Sequence, residues 1–454
     1  MSLSLAPDIR AGRLEAADYA KRFADASPRL SPGAAVLEAE RCLYCHDAPC
    51  ASACPTHIDV PAFIRRIADG NLRGSARAIL EANPLGGMCA RVCPTENLCE
   101  AVCVRQTQEG KPVAIGRLQR HAVDALLESS RPQIFTRSAG TGKKVAVVGA
   151  GPAGLSCAHT LARLGHQVVM FDAKPKAGGL NEYGLASYKT TNNFAQAEVQ
   201  WLLAIGGIEL RHNWRLETVA QLRALQQDFD ALFLGMGLPN THQLGIAGER
   251  LFGVQDAVDF IAALRQSDDL STLPVGRQVV VIGGGMTAVD AAVQAKLLGA
   301  QDVHMVYRRG PQQMGASRAE QEWAQTHGVS IHHWLAPQEV LPNSFDPQYA
   351  GGVRFARQKQ IGAKLLDTGE TLVLEADMVL KAIGQTLGNP LLAQADFVLQ
   401  HGRIATDGNG QTSLHGIWAG GDCRAGGLDL TVEAVEHGKR SAHAIHAALS
   451  GSGS

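Results

Sequence analysis

The sequence lacks the features that would attach a protein to a nucleic acid or a membrane. Its 42 Lys and Arg residues are balanced by 43 Asp and Glu residues, which leaves a formal net charge of -1 at pH 7 and no strong field to attract a polyanion. It contains no run of eighteen apolar residues that could span a bilayer. The first twenty residues include acidic side chains and no apolar core, so we expect no secretory signal and a reducing, cytoplasmic location.

The residues that carry chemistry are cysteines, and eight of the ten lie between positions 42 and 103, whereas the sixteen histidines show no metal-ligand spacing. The eight form two groups, spaced as Cys42-x2-Cys45-x4-Cys50-x3-Cys54-Pro55 and Cys89-x3-Cys93-Pro94-x4-Cys99-x3-Cys103. Thiolates at such short spacings are typical of cubane iron–sulfur clusters, each of which needs four soft ligands. The spacing therefore predicts two clusters, with Cys42, Cys45 and Cys50 on one. Cys54, the cysteine before a proline, belongs to the other.

Two other uses of these cysteines compete with iron–sulfur clusters. A disulfide framework suits short secreted chains, whereas nothing in this sequence indicates export. Two zinc sites would use paired Cys-x2-Cys knuckles, and the sequence contains one such pair, Cys42 and Cys45. Zinc stays open as the weaker alternative.

The N-terminal third of the chain has no alternating pattern that would indicate strands. At 454 residues the chain is long enough for about three domains. Residues 60–67 and 74–81, between the two cysteine groups, have apolar spacings that predict amphipathic helices. The polar, glycine-containing stretch 133–142 is typical of a linker.

A glycine-rich motif in a strand–helix context follows this linker. A predicted strand over 143–148 runs into the turn Gly149-Ala150-Gly151-Pro152-Ala153-Gly154, a helix continues to about 164, and a second strand over 167–171 ends at Asp172. Such glycines let the backbone approach a pyrophosphate at the helix N-terminus, and the acid binds ribose hydroxyls. The proline at 152 and the later Gly178-Gly179-Leu180 are similar to flavoprotein disulfide reductases, so we expect FAD here, contacted by Gly179 and Leu180.

A second motif of the same kind begins at residue 278. Its strand, 278–282, leads into Gly283-Gly284-Gly285-Met286-Thr287-Ala288, where alanine takes the third glycine position and still permits close packing. The next strand, 303–307, ends in Arg308-Arg309 rather than in an acid. Guanidinium groups pair with a 2′-phosphate that an acid would repel, so the motif predicts a nicotinamide site that favours NADP. The alternative is two surface arginines beside bound NAD.

The last part of the chain returns to the first dinucleotide domain. We assign Ala382-Ile383-Gly384 to the nicotinamide site; a strand over 416–419 then runs into Gly421-Asp422, and Thr431-Val432 opens the final helix. In flavoproteins with two dinucleotide domains this Asp binds the ribityl chain or the pyrophosphate of FAD. The helix N-terminus can stabilise charge on the reduced flavin ring.

These motifs predict an α/β protein with a helical iron–sulfur domain followed by two Rossmann-like domains. The iron–sulfur domain covers 1–140, and the FAD domain is split into 141–270 and 386–450. The NAD(P) domain, 271–385, is inserted between these two pieces.

Over nearly the whole chain, these features resemble the N-terminal half of dihydropyrimidine dehydrogenase, which in bacteria is a separate electron-input subunit. The segments that carry the resemblance are 41–50, 83–103 and 115–119. The resemblance implies one cluster on Cys42, Cys45, Cys50 and Cys103. It implies a second on Cys54, Cys93, Cys99 and the side-chain amide oxygen of Gln119.

The eighth ligand remains open at this point. Thiolate is the better ligand for iron, so Cys89 competes with Gln119, which could also be an ordinary residue on a helix surface. The glutamate synthase small subunit shares the architecture but has an acid at the position of Gln119. The glutamine therefore favours the pyrimidine enzyme.

Hydride transfer from nicotinamide to flavin needs orientation and electrostatics from the protein, so we expect no catalytic acid, base or nucleophile. The resemblance implies that NAD(P)H reduces FAD and that two [4Fe-4S] clusters pass electrons to a larger subunit containing FMN and iron–sulfur clusters. That partner, in a heterotetramer, would reduce uracil or thymine, since too few residues remain here for a TIM barrel. A glutamate synthase small subunit, a free-standing NAD(P)H:ferredoxin oxidoreductase and, less plausibly, a scaffold with a vestigial cofactor fold are the alternatives.

Overall fold

The computed structural model describes residues 13–451. The expectation of no secretory signal rests partly on the first twelve residues, which lie outside the described residues. The chain divides into two compact units. The larger unit takes residues 27–182, 192–240 and those from 386 onward, and the smaller unit takes residues up to 26, 183–191 and 241–385. No helix within 13–451 is long and apolar enough to cross a membrane.

The N-terminal region is helical, as predicted, and no strand lies within 13–143. Its helices are α1 (Ala16–Arg22), α2 (Pro32–Glu40), α3 (Pro49–Ser52), α4 (Val60–Ala68), α5 (Leu72–Ala82), α6 (Gly86–Val92), α7 (Val104–Glu109) and α8 (Ile115–Leu127). The two amphipathic helices expected between the cysteine groups are confirmed as α4 and α5. Asp59 and Asn71 begin them by accepting from the amides of Ala62 (3.0 Å) and Gly74 (2.9 Å), which satisfies amides that a helix leaves unpaired at its start.

The rest of the chain alternates strands and helices. The strands are β1 (Lys144–Val148), β2 (Gln167–Phe171), β3 (Ile208–Arg211), β4 (Ala231–Leu234), β5 (Asn240–Thr241), β6 (Val254–Asp256), β7 (Gln278–Ile282), β8 (Asp302–Tyr307), β9 (Val329–His333), β10 (Leu335–Pro342), β11 (Ala350–Ile361), β12 (Lys364–Glu375), β13 (Met378–Lys381), β14 (Gln385–Thr386), β15 (Leu399–Gln400), β16 (Arg403–Ile404) and β17 (Ile417–Ala419). The helices are α9 (Pro152–Arg163), α10 (Leu180–Tyr183), α11 (Phe194–Leu203), α12 (Val219–Asp228), α13 (Ala257–Gln266), α14 (Met286–Leu298), α15 (Arg318–Thr326), α16 (Pro390–Gln394) and α17 (Thr431–Ser450).

The larger unit is built on a parallel sheet of five strands in the order β17-β4-β1-β2-β3. The apolar runs of β1 and β4 place Val145 opposite Ala231, and both strands are buried, as expected for a parallel sheet covered on its faces. Helices α9 and α17 pack together, and Ser156 Oγ donates to the Val435 carbonyl (2.7 Å). The buried side chains of α4, α5 and α8 join those of this sheet in one apolar core, so the helical region folds onto the dinucleotide domain.

The smaller unit contains a second parallel sheet, in the order β6-β13-β7-β8-β9, and the antiparallel sheet β10-β11-β12. Helix α14 is buried over most of its length. The first described helix also belongs to this unit, because the Tyr19 hydroxyl donates to the Leu298 carbonyl (3.3 Å) and Ala26 N donates to the Tyr188 carbonyl (3.0 Å).

The compact units divide the chain differently from the three domains predicted from the sequence. The smaller unit includes residues 241–270, because β6 pairs in parallel with β13 and places Val254 opposite Val379. Residues up to 26 also lie in this unit rather than with the cysteine-bearing helices. The boundaries 1–140, 141–270, 271–385 and 386–450 therefore stay a prediction, and the contacts favour starting the inserted domain near 241.

Candidate functional site

The four cysteines predicted to hold the first cluster lie around one cavity of the larger unit. Cys42, Cys45, Cys50 and Cys103 line it together with apolar side chains of α4 and of the start of α8. Cys42 follows α2, and Cys103 is the N-cap of α7, so short helices hold the four thiols in place. Burial, together with the proximity of Cys42 and Cys103, raises the pKa of the Cys50 thiol to about 11.

The remaining cysteines of this region form a second set. The pKa of Cys93 is raised, first by a hydrogen bond with Cys89 and then by burial and by the proximity of Cys89, Cys54 and Cys99. Burial also raises the pKa of Cys99, which lies near Cys54 and Glu100. The structure therefore brings Cys54, Cys93 and Cys99 together, with Cys89 as an additional neighbour of Cys93. Which of these residues hold a cluster stays a prediction.

Both sets suit an iron–sulfur cluster better than the alternatives. All ten cysteines, which lie within the described residues, are free, so no disulfide framework is present there. Across 13–451, no three His, Cys, Asp or Glu side chains converge on a point that could hold a single metal ion. The thiols of the first set surround a cavity instead. The pKa values of Cys42, Cys50, Cys93 and Cys99 are raised, so these thiols need a cationic metal to become thiolates.

Gln119 lies inside α8 and is buried, with 7% of its surface exposed, so it is not a helix-surface residue. Its Nε2 donates to the Gly86 carbonyl at the start of α6 (2.7 Å). This bond uses the nitrogen and leaves the amide oxygen as the available metal-binding atom. Cys89 is also buried, and the choice of eighth ligand stays a prediction.

The first glycine-rich motif adopts the turn that a dinucleotide requires. Gly151 is the N-cap of α9 with no side-chain cap, so the first amides of this helix have no local acceptor and can bind a phosphate. A Cβ on Gly154 would collide with the carbonyl oxygen of Gly149, which explains why glycine is needed there. Gly179 lies against Gly151, and Leu180 follows at the start of α10. The remaining motif residues Ala150, Pro152 and Ala153 complete the turn.

Asp172 ends β2 beside this turn. Its carboxylate accepts from Ala150 N (2.6 Å) and from Lys174 N (2.8 Å), and burial raises its pKa while these two amides lower it. Asp172 therefore ties the strand end to the glycine turn. Its predicted contact with ribose hydroxyls stays a prediction.

The C-terminal residues of the first site lie beside the same turn. Gly421 approaches Ala153 so closely that a Cβ on Gly421 would lie 3.0 Å from the Ala153 Cβ. Asp422 follows, with its pKa raised to about 6 by burial and by the charge of Asp429. Helix α17 begins at Thr431 with no side-chain cap, and Val432 is buried in its first turn. The structure thus brings all predicted residues of the FAD site together in the larger unit.

The second glycine-rich motif lies wholly in the smaller unit. Gly285 is the N-cap of α14, again without a side-chain cap, and Met286 and Thr287 form the first turn of that helix. The Tyr307 ring lies against Gly284. The segment Ala382-Ile383-Gly384 follows β13, and Ala382 N donates to the Ile282 carbonyl (2.8 Å). The segment therefore lies at the carboxyl edge of the parallel strands, where α/β sheets bind ligands.

Arg308 and Arg309 follow β8 at this edge. Both side chains are exposed, and neither forms an ion pair within the part of the chain that the structure describes. Two unpaired guanidinium groups beside a dinucleotide turn can pair with a 2′-phosphate.

Sequence reasoning missed three groups that depend on tertiary contacts. The Thr56 hydroxyl lies 3.3 Å from Cys54 Sγ, His437 Nδ1 accepts from Gly421 N (3.3 Å), and Glu198 bonds to the start of α6. A Thr two residues after a ligand cysteine is a weak local signal, and the other two contacts join segments far apart in the sequence. Lys189 is half-buried and forms ion pairs with Asp290 (2.7 Å) and Glu320 (3.0 Å).

Comparison with known proteins identifies the class. Residues 143–438 match the pyridine nucleotide-disulphide oxidoreductase family, and residues 19–131 match dihydropyrimidine dehydrogenase domain II, a 4Fe-4S cluster domain. The chain belongs to the pyridine nucleotide-disulphide oxidoreductase family. It is an NAD(P)H-dependent flavoprotein oxidoreductase with FAD and pyridine nucleotide as cofactors and a 4Fe-4S domain at its N-terminus, which confirms the predicted enzyme class, fold and cofactors.

Several curated relatives match this chain over more than nine tenths of both lengths. The chain is 35% identical to the NAD-dependent dihydropyrimidine dehydrogenase subunit PreT of Salmonella typhimurium, over 92% of this chain and 95% of the relative. Identity to the PreT subunit of Escherichia coli K12 is 34%, over 94% and 97%, and to the glutamate synthase [NADPH] small chain of the same strain 32%, over 93% of each. The predicted resemblance is therefore confirmed.

Solved structures support the fold. FprA of Mycobacterium tuberculosis in complex with NADPH matches with a TM-score of 0.57 at 19% identity, over 68% of this chain and 85% of that one. Thioredoxin reductase of T. acidophilum matches with a TM-score of 0.52 at 20% identity, over 67% and 99%.

Proposed function

We propose that this chain is the electron-input subunit of a dihydropyrimidine dehydrogenase. It takes a pair of electrons from NAD(P)H and delivers them singly to a partner subunit, which reduces uracil or thymine to the 5,6-dihydropyrimidine. When bound, FAD converts a hydride into single electrons and two [4Fe-4S] clusters carry them. The observation that carries the proposal is the grouping of cysteines into two sets within the unit that also contains the FAD motif.

The residues of the chain then have distinct tasks. Cys42, Cys45, Cys50 and Cys103 hold one cluster, and Cys54, Cys93, Cys99 and Gln119 hold the other. The uncapped N-termini of α9 and α17 would stabilise negative charge on the phosphates and on the reduced ring of FAD through their helix dipoles. No side chain needs to donate or accept a proton in the hydride step, since orientation by the two dinucleotide turns is sufficient.

Gln119 favours this function over that of a glutamate synthase small subunit. Its Nε2 donates to the Gly86 carbonyl (2.7 Å), and a carboxylate at the same position would face that carbonyl without a proton to donate. The similarity to PreT subunits supports the same choice. A glutamate synthase small chain stays the second candidate because of the 32% identity to that relative.

The same proposed function implies a partner subunit and a location in the cell. We propose a heterotetramer with a larger subunit that carries FMN and further iron–sulfur clusters. We also propose a cytoplasmic location, because eight reduced thiols suit a reducing compartment.

The test is anaerobic purification of the chain with and without its partner. The chain alone should be brown, contain about eight irons and matching sulfide, and reduce dyes with NAD(P)H but leave uracil unchanged. Co-purification from native extract with a pyrimidine-reducing subunit would support the proposal. A glutamine amidotransferase partner would replace it with the second candidate, and ferredoxin reduction without any partner would indicate a free-standing reductase. About two zincs per chain would end the cluster model.

A further inference from the structure

Helix α11 of the FAD-type domain contacts the start of α6, the helix that leads to Cys93. The Glu198 side chain is 1% exposed, and its Oε1 accepts from the amides of Gly87 (2.8 Å) and Met88 (3.1 Å). A carboxyl group from a distant segment thus takes the place of an N-cap for α6. The contact lies within the larger unit, where the dinucleotide domain meets the region of the second cysteine set.

The other oxygen of this carboxyl group has no partner. Glu198 Oε2 is buried and forms no hydrogen bond with any described residue. Arg91, the cation that acts on Glu198, directs its Nη2 to both carboxylate oxygens of Asp124 (2.9 and 3.0 Å) and its Nη1 to the Gly87 carbonyl (3.0 Å). Its guanidinium group lies 3.3 Å from the centre of the Phe194 ring, and its Nε has no hydrogen-bond partner among the described residues. A carboxylate with one unpaired buried oxygen is costly, whereas a carboxylic acid carries its proton there at lower cost.

Burial is the main cause of a raised pKa for Glu198, to about 8, and the Met88 amide, Arg91 and the Gly87 amide oppose it. The group is therefore poised to change its protonation when a charge changes near α6. An electron added to a buried, low-dielectric region attracts a proton to the nearest acceptor, because the two charges compensate each other.

We propose that Glu198 takes up one proton from solvent when one electron reaches the iron–sulfur cluster held by the second ligand set, and releases it when that electron leaves. The electron comes from the flavin, and the proton forms an O–H bond at the Glu198 carboxylate, so net charge in the region is unchanged. This inference rests on the proposed function, which supplies the cluster and the electron. It makes Glu198 a positioning and proton-coupled residue rather than a catalytic one.

Other charged groups near this contact are paired, buried or close to the cysteines themselves. They are Arg91 on α6, Asp124 and Arg120 on α8, His159 on α9, Lys439 and Glu436 on α17, and Glu100 beside Cys99. Lys439 is fixed by Glu436 (2.7 Å) and by the Ala82 carbonyl (2.7 Å). Of these groups, Glu100 is the rival proton acceptor.

The test measures the reduction potential of the second cluster against pH in the whole chain, by spectroelectrochemical titration with EPR detection. For a one-electron, one-proton couple, a tenfold change in proton concentration corresponds to about 59 mV. Because Glu198 is ionised in the oxidised chain only above its pKa of about 8, we expect a fall of that size per pH unit from about pH 8 to about pH 10 and a flat profile below about pH 7. Glu198→Gln keeps the shape of the side chain and an oxygen that can accept the two hydrogen bonds from backbone amides, but it cannot ionise. The reduction potential of the second cluster in this variant should therefore be independent of pH. Glu81→Gln, an exposed change on α5, should keep the slope.

The outcomes separate this inference from the proposed function. A flat profile in the wild-type protein overturns the inference, and so does a slope that persists in Glu198→Gln, which would move the proton to Glu100 or elsewhere. A preparation without iron overturns the proposed function instead. If Glu198→Gln does not load iron, Glu100→Gln takes its place: the slope should persist in that variant, and a flat profile there would assign the proton to Glu100 and overturn the inference.

Discussion

The choice between NADPH and NADH depends on two exposed arginines, which makes it the most direct test of the nicotinamide site. Replacing Arg308 or Arg309 with Ala removes a guanidinium group that follows β8 and has no ion pair within residues 13–451. Because neither side chain is buried or paired, the free energy of unfolding should not change. Any effect should therefore appear in cofactor selection rather than in stability.

The size of the effect follows from the strength of a phosphate contact. A hydrogen bond to a charged group contributes about 1.5–3 kcal/mol, and exposure to solvent reduces this toward the lower end. A loss of about 1.4 kcal/mol, at that lower end, corresponds to about a tenfold fall in kcat/KM for NADPH. The value for NADH should change less than about threefold, since NADH has no 2′-phosphate to lose.

Dye reduction under anaerobic conditions gives kcat/KM for both cofactors without the partner subunit. Arg318→Ala is a matched control, because Arg318 is an exposed arginine of the same unit and pairs only locally with Glu322 (2.9 Å). An unchanged NADPH to NADH ratio in Arg308→Ala, Arg309→Ala and the double variant would refute the 2′-phosphate role. The relatives differ in this respect, since the PreT subunits are described as NAD-dependent and the glutamate synthase chain as NADPH-dependent.

Three further changes test the larger unit. Gly438→Ala places a methyl group against the carbonyl oxygen of Ala153, where α17 crosses α9. The destabilisation from overpacking, about 1–3 kcal/mol, should exceed the gain in helix propensity of about 1 kcal/mol. The Tm and the retention of flavin, measured by absorbance, should therefore fall. Thr56→Val removes the hydroxyl 3.3 Å from Cys54 Sγ and should lower the potential of the second cluster by about 40 mV, the equivalent of roughly 1 kcal/mol, whereas Thr56→Ser should restore it. Burial lowers the pKa of His159 from 6.5 to about 4, so the unfolded chain binds a proton that the folded chain refuses, and the free energy of unfolding should fall by about 2 kcal/mol between pH 8 and pH 5. His159→Asn should remove that part of the pH dependence in denaturant titrations, and an unchanged slope would contradict it.

Much of the fold could be predicted because its signals are local. The strand over 167–171 and the strand over 278–282 were predicted with the bounds that the structure has, since each is a short apolar run directly beside a glycine turn. Strand β6 was not predicted, because three residues have no periodicity of their own. Its place beside β13 depends on a partner more than a hundred residues away, which the boundary predicted at 271 did not take into account.

The candidate sites show the same division between local and distant information. Spacing alone grouped Cys42, Cys45 and Cys50, because a short loop can wrap one cluster. It could not add Cys103, which came from the resemblance and which the structure brings to the same cavity. Gln119 and Glu198 lie on helices with no sequence signature for metal chemistry. The resemblance named Gln119, whereas Glu198 was missed, and the contacts of both with α6 come only from the packed structure.

The iron–sulfur region differs from a small metal-dependent domain in what holds it together. In zinc fingers the metal supplies the folding free energy, because the apolar core is too small. Here the apolar faces of α4, α5 and α8 are buried in the core that includes β1 and β2, so the helices are held in place by the dinucleotide domain. The thiols can therefore be gathered before any iron arrives. Burial raises the pKa of Cys50, and a hydrogen bond with Cys89 together with burial raises the pKa of Cys93, which favours the neutral form of both. Loading then exchanges protons for iron at ligands already positioned, and the same rigid contact between α11 and α6 connects the region of the second cluster to the FAD-type domain.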